Sequence, residues 1–107
     1  MGVKVLKLYL KTKSGVDAIG EYDPATKTIV VRKGSIIAPD VHTDGKFRSA
    51  NSVIKYRELY CDGLNTKQDV VFKSASTAAN FLTGRSTNGL ITWKNSEGVT
   101  LKSLLSE

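Results

Sequence analysis

The sequence predicts an α+β fold in one small domain: an N-terminal antiparallel β-meander, a central helix, then a strand–helix–β-hairpin unit. Three observations carry this expectation. Apolar and polar residues alternate with period two at the start of the chain, the pattern of a half-buried strand. Small and apolar residues recur at i, i+3, i+4, i+7 at Ala75, Ala78, Ala79 and Leu82, the pattern of one helix face. Glycine-containing turn signals separate the segments. At 107 residues the chain fits one domain, 1–107, large enough to bury a core without staples.

From Lys4 to Lys11, Leu6, Leu8 and Leu10 alternate with Lys7, Tyr9 and Lys11, giving one apolar and one basic face. Ser14-Gly15 breaks this strand. Val16–Tyr22 and Thr28–Arg32 read as two more strands around a hairpin turn at Asp23–Lys27, where Pro24 presets φ and Asp23 bonds back to the loop. Because Ile29, Val30 and Val31 are consecutive, the third strand is expected to be covered on both faces. Residues 36–46 read as a surface loop carrying the lone His42.

Phe47–Cys61 reads as a helix with Ala50, Val53, Ile54, Arg57 and Cys61 on its core face, stopped by Asp62-Gly63. Asp69–Lys73 is a short strand. Ser74 or Ser76 caps a helix over Ala75–Thr83, with Gly84 as its left-handed stop and Thr77, Asn80 and Thr83 facing away from the core. Asn88-Gly89 then signals a tight turn with positive φ, leading into a short strand through Leu90, Ile91 and Trp93. Glu97-Gly98 turns again, and Leu101, Leu104 and Leu105 form a last helical turn or two.

Composition excludes several classes. Hydrophobic residues make up 40% and charged residues 24%, a globular rather than a disordered balance. One cysteine, Cys61, rules out an internal disulfide, and with a single histidine no metal site is expected. No cofactor is expected either. Lysines interrupt the N-terminal apolar run, Leu6 stands where myristoylation needs Ser or Thr, and no stretch approaches the ~20 apolar residues of a membrane span. A cytoplasmic monomer without membrane contact is the expectation. The net charge of +6 favours polyanionic partners while staying within the range that surface lysines supply for solubility.

The stretch KSASTAANFLTGRSTNGLITWKNSEGVTLKSL, Lys73–Leu104, resembles a bacterial domain-of-unknown-function family with an S-x-S-x-A-A … G-R-S-x-N-G … W-K … G-x-x-L signature. That family is often fused to GIY-YIG nuclease or restriction-modification proteins and is similar to the RAMA domain. The segments AIGEY, Ala18–Tyr22, and VRKGS, Val31–Ser35, fit its upstream half, so the resemblance spans about residues 16–105. No nuclease or methylase motif is present. The resemblance therefore implies an accessory module, with DNA binding suggested by the company it keeps and a nuclease or methylase as a possible partner protein.

The candidate nucleic-acid contacts are Lys73, Ser76, Arg85, Asn88 and Lys94. Arg85 among hydroxyl-bearing neighbours suits bidentate phosphate binding, and suits equally a role on the orphan carbonyls at a helix end. Ser76 with Lys73 suits a phosphate at a helix start, against ordinary capping. Trp93 reads as a core anchor rather than a stacking platform. Lys7, Tyr9, Lys11 and Lys13 read as a protected edge strand or as a backbone-holding face. Asp17, Glu21 and Asp23 lack the environment that acid–base catalysis needs, and no catalytic residue is assigned. A non-catalytic DNA-binding module is the expectation, with a protein-docking module as the alternative and an enzyme with a composite site as a distant third.

Overall fold

Strand alternation at the N-terminus produces the predicted meander. The computed structural model describes residues 5–39, 41 and 50–106. Strands β1 (Leu6–Lys11), β2 (Asp17–Asp23) and β3 (Thr28–Val31) follow each other antiparallel. Helix α1 spans Ala50–Tyr60, and a small hairpin of β4 (Cys61–Asp62) and β5 (Asn65–Thr66) follows. Strand β6 (Val70–Phe72) completes a four-stranded sheet in the order β1-β2-β3-β6. Helix α2 (Ala75–Thr83) and the short helices α3 (Gly89–Thr92) and α4 (Leu101–Leu105) end the chain. Among the described residues no helix is long and apolar enough to cross a membrane. Lys4, His42 and Phe47 lie outside the described residues, as does most of the expected 36–46 loop.

The period-two pattern decides which sheet face is buried. Leu8, Leu10, Ala18, Tyr22, Ile29, Val31, Val70 and Phe72 point inward, and α2 covers them with Ala75, Ala78, Ala79 and Leu82. The β2–β3 turn forms as its residues dictate: the Asp23 carboxylate accepts from the Ala25 N–H at 2.9 Å, and Lys27 takes φ of 61°. Ser74 caps α2, accepting from the Thr77 N–H, and Gly84 ends it in the left-handed region at φ 73°. Bounds and caps of this helix match the sequence reading.

Four expectations change. Val30 is only half-buried and its cross-strand neighbour Val71 is 64% exposed, so β3 is not covered on both faces. In α1 the face ends early: Ala50 and Val53 are buried, but Ile54 is exposed. Cys61 is half-buried and opens the β4–β5 hairpin instead of closing the helix, with Gly63 (φ 64°) at the turn. Burial pushes the Cys61 thiol up, against the opposing pull of Arg57 and Lys67, which favours its protonated form. Thr83 is buried rather than outward-facing, because its hydroxyl donates to the Ala79 carbonyl at 2.9 Å and meets Thr87 at 2.7 Å.

Candidate nucleic-acid interface

The segment after α2 departs furthest from its sequence reading. Asn88-Gly89 does not form a positive-φ turn, since Gly89 lies outside the left-handed region. Asn88 instead caps α3, its side-chain oxygen accepting from the Leu90 N–H at 3.0 Å. Leu90 and Ile91 are accordingly helical, and Trp93 follows as the first extended residue. An Asn before a Gly satisfies either geometry; packing selects the helical one here. A Cβ on Gly89 would stand 2.3 Å from the Ala75 carbonyl carbon and 2.5 Å from the Ser76 nitrogen. The glycine is required by close backbone approach, and the Ser76 hydroxyl fixes that approach by accepting from the Gly89 N–H at 3.0 Å.

Trp93 completes this staple. It is fully buried, and its indole N–H donates to the Ala75 carbonyl at 3.0 Å. Its ring lies against Gly20, where a Cβ would come within 2.9 Å of two ring carbons. The glycine of AIGEY and the tryptophan of the downstream stretch thus meet in the core. Ser76 and Asn88, both expected to touch nucleic acid, each use their side-chain oxygen to accept a backbone N–H within the fold.

The two readings of Arg85 separate on the identity of another arginine. Arg57 from α1 reaches the C-terminal end of α2, its guanidinium donating to the Phe81 carbonyl at 2.9 and 3.0 Å and to the Leu82 carbonyl at 3.3 Å. This is the helix-end role that Arg85 might have filled, and sequence spacing placed Arg57 only on the core face of α1. Arg85 is exposed, and among the described residues its guanidinium has no hydrogen-bond or ion-pair partner.

Just past Trp93 the chain pairs with the outer edge of β1. The Tyr9 N–H donates to the Lys94 carbonyl at 2.6 Å, and the Lys94 N–H returns to the Tyr9 carbonyl at 3.0 Å. Lys94 also bridges Thr100, so residues around it act as an added strand. This pairing brings the basic face of β1 beside the post-α2 loop. An open groove of about 470 Å³ is lined by Tyr9, Lys11, Thr92, Lys94, Asn95, Ser96 and Gly98. A second of about 360 Å³ adjoins it at Thr92 and carries Lys13 and Arg85 among hydroxyl side chains. Among the described residues neither lining contains a carboxylate. Asp17 stands opposite Lys11 in the β1–β2 register, and the ion pairs of the described residues lie elsewhere, Arg32 with Glu21 at 2.9 Å and with Asp69 at 3.6 Å.

Of the five sequence candidates, the fold therefore brings Lys94 and Arg85 to two adjoining concave surfaces, with Tyr9 and Lys11 beside the first and Lys13 beside the second. Lys73 lies apart, exposed on the rim of a different cavity with Tyr56, Thr77 and Asn80. A family model described as a domain of unknown function (DUF4357) matches residues 8–105. The chain belongs to that family. The match begins inside β1, earlier than the resemblance at about residue 16, so the family unit takes in Tyr9 and Lys11 of that strand. No curated protein and no solved structure matches the chain significantly.

Proposed function

We propose that this domain is a non-catalytic nucleic-acid-binding module that holds DNA by its phosphates in the groove between β1 and the Arg85–Asn95 segment. The observation that supports this reading is the convergence of Lys11, Lys13, Arg85 and Lys94 on adjoining concave surfaces with no carboxylate among the described residues of their linings. Holding unpaired cations together costs electrostatic energy, and a polyanion relieves it while releasing counterions. The Ser96 hydroxyl is of the kind that bonds phosphate and sugar oxygens. Association with a bacterial restriction-modification enzyme, a nuclease or a methylase in the cytoplasm, is part of the proposal and rests on the signature in Lys73–Leu104.

A second reading, docking onto a partner enzyme, draws on the outer sheet face, where Val71 is 64% and Ile19 36% exposed. An NMR titration separates the two. With duplex and single-stranded DNA at low salt, the DNA reading expects shifts confined to residues 9–14, 85–87 and 92–98. The affinity should lie at ~10–100 μM and fall steeply with added salt. No shift with duplex, single-stranded or adenine-methylated DNA removes the reading and leaves partner docking.

A further inference from the structure

We infer that the groove is shaped for single-stranded DNA rather than duplex, with a base stacked on the ring of Tyr9; this rests on the reading of the groove as a DNA interface and narrows it. A duplex hides its base faces and is read by a convex element, a helix or ribbon, entering a groove of the DNA. Here the concavity belongs to the protein. The helices reach its lining only through their last residues, Thr83 of α2 and Thr92 of α3, and the cations lie along its walls. A single strand is held in the converse manner, by a cationic groove that follows the backbone and an aromatic face on which a base lies.

Tyr9 supplies that face. It is the aromatic residue of the groove lining, half-buried beside Lys11 and Lys94. Its backbone is fixed on both sides, in register with Ile19 of β2 on one and hydrogen-bonded to Lys94 on the other. The Lys7 ammonium stands 5.9 Å from the ring centroid, adding a further cation at the platform. A stacked base at Tyr9 puts its phosphodiester beside Lys11 and Lys94, and the strand continues past Thr92 toward Lys13 and Arg85.

Fluorescence anisotropy with an oligothymidine of roughly ten nucleotides, a duplex of the same length and an abasic oligomer of the same charge tests this. The oligothymidine should bind about 5-fold or more tighter than either comparison probe, the effect of one stacked base. Tyr9→Leu, which keeps the apolar bulk, should weaken oligothymidine by about 5-fold or more and leave the abasic oligomer unaffected, while Tyr9→Phe restores binding. Duplex or abasic probe binding as tightly as oligothymidine overturns the single-strand assignment, and leaves the groove reading standing. Loss of binding to every probe in the wild-type chain overturns the groove reading itself. Should Tyr9→Leu fail to fold, the wild-type comparison of oligothymidine with the abasic oligomer decides alone.

Discussion

Two sets of residues interleave between Ser74 and Lys94, and they face opposite ways. The inward set, Ser76, Gly89 and Trp93, ties α2, α3 and β2 together at atomic contact. The outward set, Arg85 and Lys94, lines the two adjoining cavities with side chains that have no hydrogen-bond or ion-pair partner among the described residues, while the Lys94 backbone pairs with Tyr9. The residue types that make the stretch recognisable are mostly the inward ones. A glycine that tolerates no Cβ and a tryptophan with one polar partner admit few substitutes, whereas a rim cation is one of several. The recognisable pattern here reports packing in the main, and its two cations, Arg85 and Lys94, are the ones that line the proposed binding surface.

The largest expected effect is on the inward set. Trp93→Ala removes a fully buried ring and its hydrogen bond to the Ala75 carbonyl, and should cost about 3–5 kcal/mol in urea unfolding. The native indole emission should be blue-shifted, and a maximum typical of solvated tryptophan contradicts the staple. Gly89→Ala should destabilise by about 3 kcal/mol, since the added methyl meets backbone that cannot rotate aside. A neutral Gly89→Ala would mean that α2 and α3 are further apart than described. Next comes Arg57→Leu, which keeps the packing of the stem and strips the Phe81 carbonyl of its donor, the Leu82 carbonyl keeping the Ala38 N–H. A loss of about 1–3 kcal/mol is expected, and an unchanged melt would return the helix-end role to another group.

A smaller effect is set by pH. The Cys61 thiol is raised chiefly by burial, and the Tyr22 phenol is raised by burial and then by the Asp23 carboxylate. Both favour the protonated form in the fold, so their stabilisation is complete below the unfolded pKa and is lost as pH rises through the folded one. Stability should fall on the alkaline side, and Tyr22→Phe with Cys61→Ala should flatten that fall. An alkaline profile that the double substitution leaves unaltered would show that neither group is responsible.

Much of the frame was legible because its signals are local. Alternation placed β1 and its inward leucines, turn signals bounded β2 and β3, and Ser74 and Gly84 bounded α2 through capping geometry that depends on neighbouring backbone alone. What was illegible depended on contacts distant in sequence. Asn88-Gly89 satisfies a hairpin turn and a helix cap equally, and only the proximity of Ala75 and Ser76 decides between them. Arg57 sits on a helix face where spacing says nothing of the Phe81 carbonyl it meets. The three consecutive apolar residues of β3 suggested a covered strand, yet Val30 packs only beside its cross-strand neighbours. As for the groove, period two aligned Lys7, Tyr9 and Lys11 on one face, but their meeting with Lys94 depends on the Tyr9–Lys94 backbone pairing.

The division between an inward staple and an outward rim is tested most directly by Arg85→Ala with Lys94→Ala, followed by melting and by DNA affinity across a salt series. The account predicts a stability within about 0.5 kcal/mol of the parent, as for exposed residues without partners. It also predicts weaker binding with a salt slope shallower by roughly the number of phosphate contacts removed. A substantial loss of stability with DNA affinity and salt slope unchanged would contradict it, returning these two cations to the fold and emptying the groove of its assigned role.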